Sequence, residues 1–122
     1  MEKDRLKGVY YFVDKDGTRP VKEFIDSLTQ KEQAKVYAYI TELKKQGNNL
    51  RRPMADYLGD GIYELRLKDN RIFYFFYLRE RAVLIHAIKK HVKRIPENDL
   101  RLCIKRKLET EACGTNIERL EL

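Results

Sequence analysis

Apolar positions along this 122-residue chain change their spacing three times, and each change predicts a new kind of element. Val9-Tyr-Tyr-Phe-Val13 is a β-branched and aromatic run ending at Asp14-Lys-Asp-Gly17, which predicts a strand and then a turn. Pro20 fits the first position of a helix, and Val21, Phe24, Ile25 and Leu28 recur at i, i+3, i+4 and i+7 to make one apolar stripe. Thr29-x-x-Glu32 has the form of a capping box and opens a second helix, with Val36, Ile40 and Leu43 on its buried side and Gly47 as a left-handed stop. Residues 48–60, with Pro53 and Gly59, read as a connecting loop. From Gly61 the pattern alternates: Ile62 to Lys68, Arg71 to Leu78, and Arg81 to about Lys89, separated by Asp69-Asn70 and Arg79-Glu80. That is a three-stranded meander. Pro96 opens a last helix with Glu97 and Asp99 in its first turn and Leu100, Cys103, Ile104 and Leu108 as its stripe. The expected fold is α+β, of order β-α-α-β-β-β-α, with an antiparallel sheet packed against helices over residues 1–108. Residues 109–122 are expected to be an acidic tail, loose, weakly helical or disordered.

A two-residue turn at Asp69-Asn70 pairs Lys68 with Arg71, Arg66 with Phe73 and Glu64 with Phe75, and so assigns every side chain to a face. One face holds Tyr63, Leu65, Leu67, Ile72, Tyr74, Phe76 and Leu78 and must be covered by helices. The other holds Ile62, Glu64, Arg66, Lys68, Arg71, Phe73, Phe75 and Tyr77. A similar turn at Arg79-Glu80 sets His86 opposite Phe73 and adds Leu84, His86, Ile88 and Lys90 to this second face. Cations interleaved with rings suit phosphates and stacked bases. The same face also fits an open sheet showing charge to water, with Phe73, Phe75 and Tyr77 packed and His86 a satisfied, partly buried histidine. Lys89-Lys90-His91-x-Lys93-Arg94 concentrates cations where a strand leaves the sheet, as a functional cluster or a solvated turn.

Charge sharpens the picture. The net charge is +7, yet 25 of the 26 Lys and Arg and only 15 of the 19 Asp and Glu lie in the first 108 residues. Such a surface attracts polyanions, nucleic acid first among them, although a membrane surface or an acidic protein meets the same arithmetic. No run reaches the roughly 20 apolar residues of a membrane span, and Met1-Glu-Lys-Asp-Arg is followed by no apolar signal region, so the expected location is the cytoplasm. Cys103 and Cys113 are expected as reduced thiols. His86 and His91 are five apart without a carboxylate cluster, and neither a Gly-rich phosphate loop nor a nucleophile elbow occurs, so no metal and no cofactor are expected. Chemistry that cations alone promote remains, with metal-free RNA cleavage leading. There the ribose 2′-hydroxyl attacks its own phosphate, and the protein moves protons and neutralises the phosphorane. Arg66 and Arg71 suit the neutralising role; Lys90 or His91, held among other cations, suits acid or base work near neutral pH.

Gly17-Thr-Arg-Pro20 before Glu23-Phe24-Ile25, then Gly61-Ile-Tyr-Glu-Leu-Arg66, Asn70-Arg-Ile-Phe-Tyr-Phe-Phe76 and Ile88-Lys-Lys90 through Pro96 resemble the phage-derived HigB-like branch of the RelE/ParE toxin superfamily over about residues 8–108. The resemblance implies a RelE-like α+β fold. It also implies an mRNA endonuclease acting on the ribosome, without a metal, held in a hetero-oligomer by a cognate helix-turn-helix antitoxin. Matched by motif, the family's basic site residues fall on Arg66, Arg71, Lys89 and Lys90; Lys68, Lys93 and Arg94 are further candidates for RNA binding. Glu64 stands where some relatives have lysine, and no tyrosine follows Tyr77, so His91 and then Lys90 are the substitutes for the general base. Two alternatives stay open: a ParE-like toxin directed at DNA gyrase, and a non-catalytic phage protein that grips nucleic acid through the same face.

Overall fold

The tight turn at Gly17 and the proline at helix position one bring the chain from its first strand straight under a sheet. In the computed structural model, which describes residues 4–90 and 94–121, strand β1 (Gly8–Phe12) leads into helix α1 (Pro20–Asp26) and helix α2 (Gln30–Gln46). The Thr29 hydroxyl accepts from the Glu32 N–H and the Glu32 carboxylate accepts from the Thr29 N–H, so the capping box forms as expected. A single 3-10 turn, Gly47–Asn49, follows. Strands β2 (Ala55–Gly59), β3 (Ile62–Arg66), β4 (Asn70–Tyr77) and β5 (Arg81–Lys89), helix α3 (Glu97–Cys113) and strand β6 (Ile117–Arg119) complete the order. The sheet runs β2-β3-β4-β5-β1-β6, antiparallel throughout except where β1 lies parallel to β5.

Alternation along the strands builds two cores. Val21, Ile25, Val36, Ile40 and Leu43 from α1 and α2 bury against Leu65, Ile72, Tyr74 and Leu84 on one face. Cys103 of α3 joins Phe12, Ile62, Phe73, Phe75, Val83 and Ile85 on the other. The second face is therefore only partly open: α3 lies across it, and Phe73 and Phe75 are core residues, unavailable for stacking on bases. No helix among the described residues is long and apolar enough to cross a membrane.

Several expectations need correction. The expected loop 48–60 contains β2, which pairs with β3 through Ala55 opposite Leu65 and Tyr57 opposite Tyr63; Pro53 and Gly59 at its margins mask a strand this short. The element order thus has two strands more than expected. The tail supplies the last turn of α3 and the edge strand β6, and Leu120, just after that strand, enters the α1/α2 core. Gly47 does not adopt the left-handed conformation, its ψ of −133° lying far from it, whereas Gly114 (φ 75°, ψ −13°) closes α3 in that way. Leu108 is 58% exposed and no part of the α3 stripe.

Register corrections matter more. Arg66 faces Arg71, so Leu67–Asn70 form a four-residue connection where a two-residue turn was expected. The shift is even, and every β3 and β4 side chain keeps its assigned face. His86 does face Phe73, but one residue later a bulge breaks the pairing and Tyr74 faces Leu84. One extra residue reverses the alternation. Leu84 consequently turns into the α1/α2 core, while Val83 and Ile85 turn toward α3. Leu78, placed by alternation on the apolar face, sits instead in the β4–β5 turn with φ 53° and its side chain in water.

Candidate functional site

Cross-strand neighbours Arg66 and Arg71 carry like charges on the same pleat, an arrangement that repels unless an anion lies between them. Glu64, two residues before Arg66 on the same face, supplies that anion: its Oε2 is 2.8 Å from Arg66 Nη1 and its Oε1 is 3.5 Å from Arg71 Nε. Its side chain is only 3% exposed. Arg71 is almost as deep, and its Nη1 donates to the carbonyls of Leu67 and Asn70, so the guanidinium ties down the connection that follows β3. Burial pulls the Arg71 pKa below the usual arginine range, with Glu64 opposing. The Lys90 N–H donates to Asp69 O at 2.9 Å, which brings the end of β5 against the same connection.

These groups border a cleft of about 820 Å³. Arg66, Lys68, Arg71 and Lys90 line it together with Arg94 and Ile95 from the segment before α3 and Glu97 and Leu100 from its first turn. Arg52 and Asp56 close the β2 end; Arg52 Nη2 lies 2.8 Å from Asp56 Oδ2, and that hydrogen bond chiefly holds the Asp56 carboxyl below its ordinary pKa. Six cations against three carboxylates leave the cleft positive, and a dielectric lower than that of bulk water strengthens its hold on an anion.

Of the residues singled out from sequence, Arg66, Arg71, Lys68, Lys90 and Arg94 come together here. Lys89 does not: it faces α2, its Nζ 3.8 Å from Glu32 Oε2. His91 and Lys93 lie outside the described residues. His86 is a packing residue: Nε2 is 2.7 Å from Asp99 Oδ1 and the ring stacks on Phe73. Among the described residues, no three His, Cys, Asp or Glu side chains gather to hold a metal ion. Sequence reading missed Arg52 and Asp56, because the strand that positions them was read as loop, and missed the bridging role of Glu64, because the register was displaced by two.

An α+β fold with a net positive cleft at one end of its meander, in which Glu64 bridges two of the arginines, has the charge and the donors to attract an anionic group. The sequence profile described as Phage derived protein Gp49-like (DUF891) matches residues 23–108, and the chain belongs to this family. It is a phage-derived, toxin-like family of the RelE/HigB-like toxin-antitoxin group, consistent with a toxin-antitoxin role and an antitoxin partner. The match covers the cleft residues Arg52 to Leu100 and leaves out β1 and β6. A search of curated proteins finds no match.

Proposed function

We propose that this chain is the toxin of a type II toxin-antitoxin pair and acts as a metal-free mRNA endoribonuclease of the cytoplasm, working on ribosome-bound message and held inactive by a helix-turn-helix antitoxin. The observation that carries this reading is the convergence of Arg66, Arg71, Lys68, Lys90 and Arg94 on one cleft. In the reaction the 2′-oxygen bonds to phosphorus and the bond to the 5′-oxygen breaks, giving a 2′,3′-cyclic phosphate and a free 5′-hydroxyl. One proton leaves the 2′-hydroxyl and one reaches the departing oxygen. Arg66 has five N–H donors and gives one to Glu64, so others remain for a phosphate oxygen. Arg71, deeper and tied to the connection, contributes charge and holds that wall of the cleft. Lys90 and His91 are the candidates for moving protons.

The test is to map mRNA ends in cells expressing the chain. New 5′-hydroxyl ends are expected, with Arg66→Ala reducing cutting by on the order of 100-fold, the usual loss when a charge-stabilising donor is removed. Translation arrest without new ends, or undiminished cutting by both Arg66→Ala and Arg71→Ala, would defeat the nuclease. One observation favours a second reading: Glu64 already engages both arginines, which suits a surface that grips phosphates and cuts none. A DNA damage response without RNA cleavage would mark a gyrase-directed toxin instead.

A further inference from the structure

A second cationic recess, of about 490 Å³, opens at the other end of the meander, lined by Arg5, Leu6, Gly47, Asn48, Phe76 and Arg79. Backbone bonds hold it in shape. The N–H groups of Arg5 and Leu6 donate to the carbonyls of Lys45 and Lys44 at the end of α2, at 3.2 and 3.1 Å, and the Lys7 N–H donates to Glu80 O at 2.7 Å. The path along β4 from Arg71 in the cleft to Phe76 in this recess is about 17 Å, at roughly 3.4 Å per residue, and the two side chains stand on opposite faces of the sheet.

From Phe76 an aromatic row crosses the α1/α2 face to the β2 edge. Tyr63 meets Phe76 edge-on with ring centroids 5.1 Å apart, and Tyr57, 49% exposed, meets Tyr63 at 4.8 Å. Helices α1 and α2 bury the rest of this face and leave the row half-covered. Three arginines flank it. Arg51 lies 5.7 Å over the Tyr63 ring and donates to the carbonyls of Asn48 and Leu50, while Arg5 and Arg79 reach it from the recess. Among the described residues none of the three meets a carboxylate, whereas Lys7 nearby pairs with Glu80 and Lys44 with Asp4.

The turn beside the recess points the same way. Leu78 and Arg79 have φ of 53° and 66°, a left-handed backbone that asparagine and glycine adopt readily and leucine and arginine do not. Leu78 is also 63% exposed. The fold thus carries a strained pair at a turn that other residues would serve better, with an apolar side chain in water, and strain of this kind gathers at binding sites. RNA is a poor match for the row: Tyr63 has Tyr74 stacked on it and Arg51 over it, and Leu78 offers no ring to a base. Amphipathic helices are what cover this face elsewhere in the molecule, and arginines without carboxylates call for acidic side chains.

We infer that the row Tyr57, Tyr63 and Phe76, with Leu78 at its end, docks an acidic amphipathic helix of a protein partner, its apolar side chains on the rings and Leu78 and its carboxylates on Arg5, Arg51 and Arg79. Such a partner extends the α1/α2 layer and lies on the face opposite the cleft.

The test is an NMR titration of the whole chain with a helical leucine–glutamate peptide of about 18 residues, about five turns, read at the Leu78 methyls and the Phe76 ring. The peptide is expected to shift both and to bind about tenfold more tightly than a scrambled peptide of the same composition, as one anchored apolar contact allows. A leucine–lysine counterpart is expected to shift neither. Leu78→Asn suits the left-handed turn, so its melting temperature should match or exceed the wild type while peptide affinity falls about tenfold. A lower melting temperature would make Leu78 a residue of the fold and overturn the inference. Shifts confined to Lys68 and Arg71 in the cleft, equal binding of the scrambled peptide, or an oligouridylate that moves Leu78 as far as the peptide does would overturn it as well. Peptide docking and RNA cutting are read separately: a chain that cuts RNA through Arg66 and takes no peptide loses the docking surface alone, and one that docks the peptide and cuts nothing loses the nuclease alone.

Discussion

Glu64 shows how much a single side chain decides in this molecule. Removing it leaves two guanidiniums opposite one another on a pleat, one of them nearly buried, and unpaired buried charge is costly. Glu64→Ala should cost about 1–3 kcal/mol, below the usual figure for a buried pair because Arg66 reaches water. Urea denaturation followed by circular dichroism measures this, and an unchanged midpoint would show that the bridge is dispensable. The residue types were legible in the sequence, for alternation alone put Glu64, Arg66 and Arg71 on one face. Their contact was not, since it depends on a connection of four residues that no turn signal at Asp69-Asn70 announces. His86 gives the second prediction at this scale. Burial holds its pKa below the ordinary 6.5, against the pull of Asp99 and with a smaller push from Arg106. Above the unfolded value the ring is neutral in both states and costs nothing. Below it the unfolded chain takes up a proton that the fold resists, so stability falls with pH from about 6.5 downward. The melting temperature should drop between about pH 7.5 and 5.5, and His86→Gln should flatten that slope; equal slopes for the two proteins would assign the effect to another group.

Among the elements, those with strong local signals formed where the sequence placed them: the proline-led α1, the capping box of α2, the acidic first turn of α3 and the three meander strands. Thr29→Ala should cost about 1 kcal/mol in thermal or chemical denaturation, because it strips one half of the box. A loss near zero would mean that the Glu32 half suffices. The elements that were not legible owe their existence to partners far away in sequence. Strand β2 is five residues between a proline and a glycine and exists because β3 offers it an edge. Strand β6 is three residues and exists because β1 does. The bulge between β4 and β5 is set by how both cores fill, with Leu84 on one side and Val83 and Ile85 on the other, which no local pattern encodes.

At the scale of the whole molecule, the excess of positive charge counted along the chain becomes a directed property. Five of the basic residues picked out from the sequence border one cleft, and the acidic C-terminal stretch is drawn away to the far edge of the sheet, where Glu118 pairs with Arg19. Single-stranded RNA held by such a cleft releases counterions in proportion to the cations engaged. Lys68→Ala should lower the slope of log affinity against log salt by about 0.7, measured by fluorescence anisotropy on a short RNA. An unaltered slope would place Lys68 outside the contact.

The parallel pairing of β1 with β5, and the antiparallel pairing of β6 with β1, have a further consequence during synthesis. Strand β1 emerges well before β5, the partner that brings it into the sheet, and its outer edge stays bare until β6 emerges. Pairings so remote form late and slowly. The meander should therefore pair first, and the six-stranded sheet reach its finished form only once β1 has docked on β5 and β6 on β1.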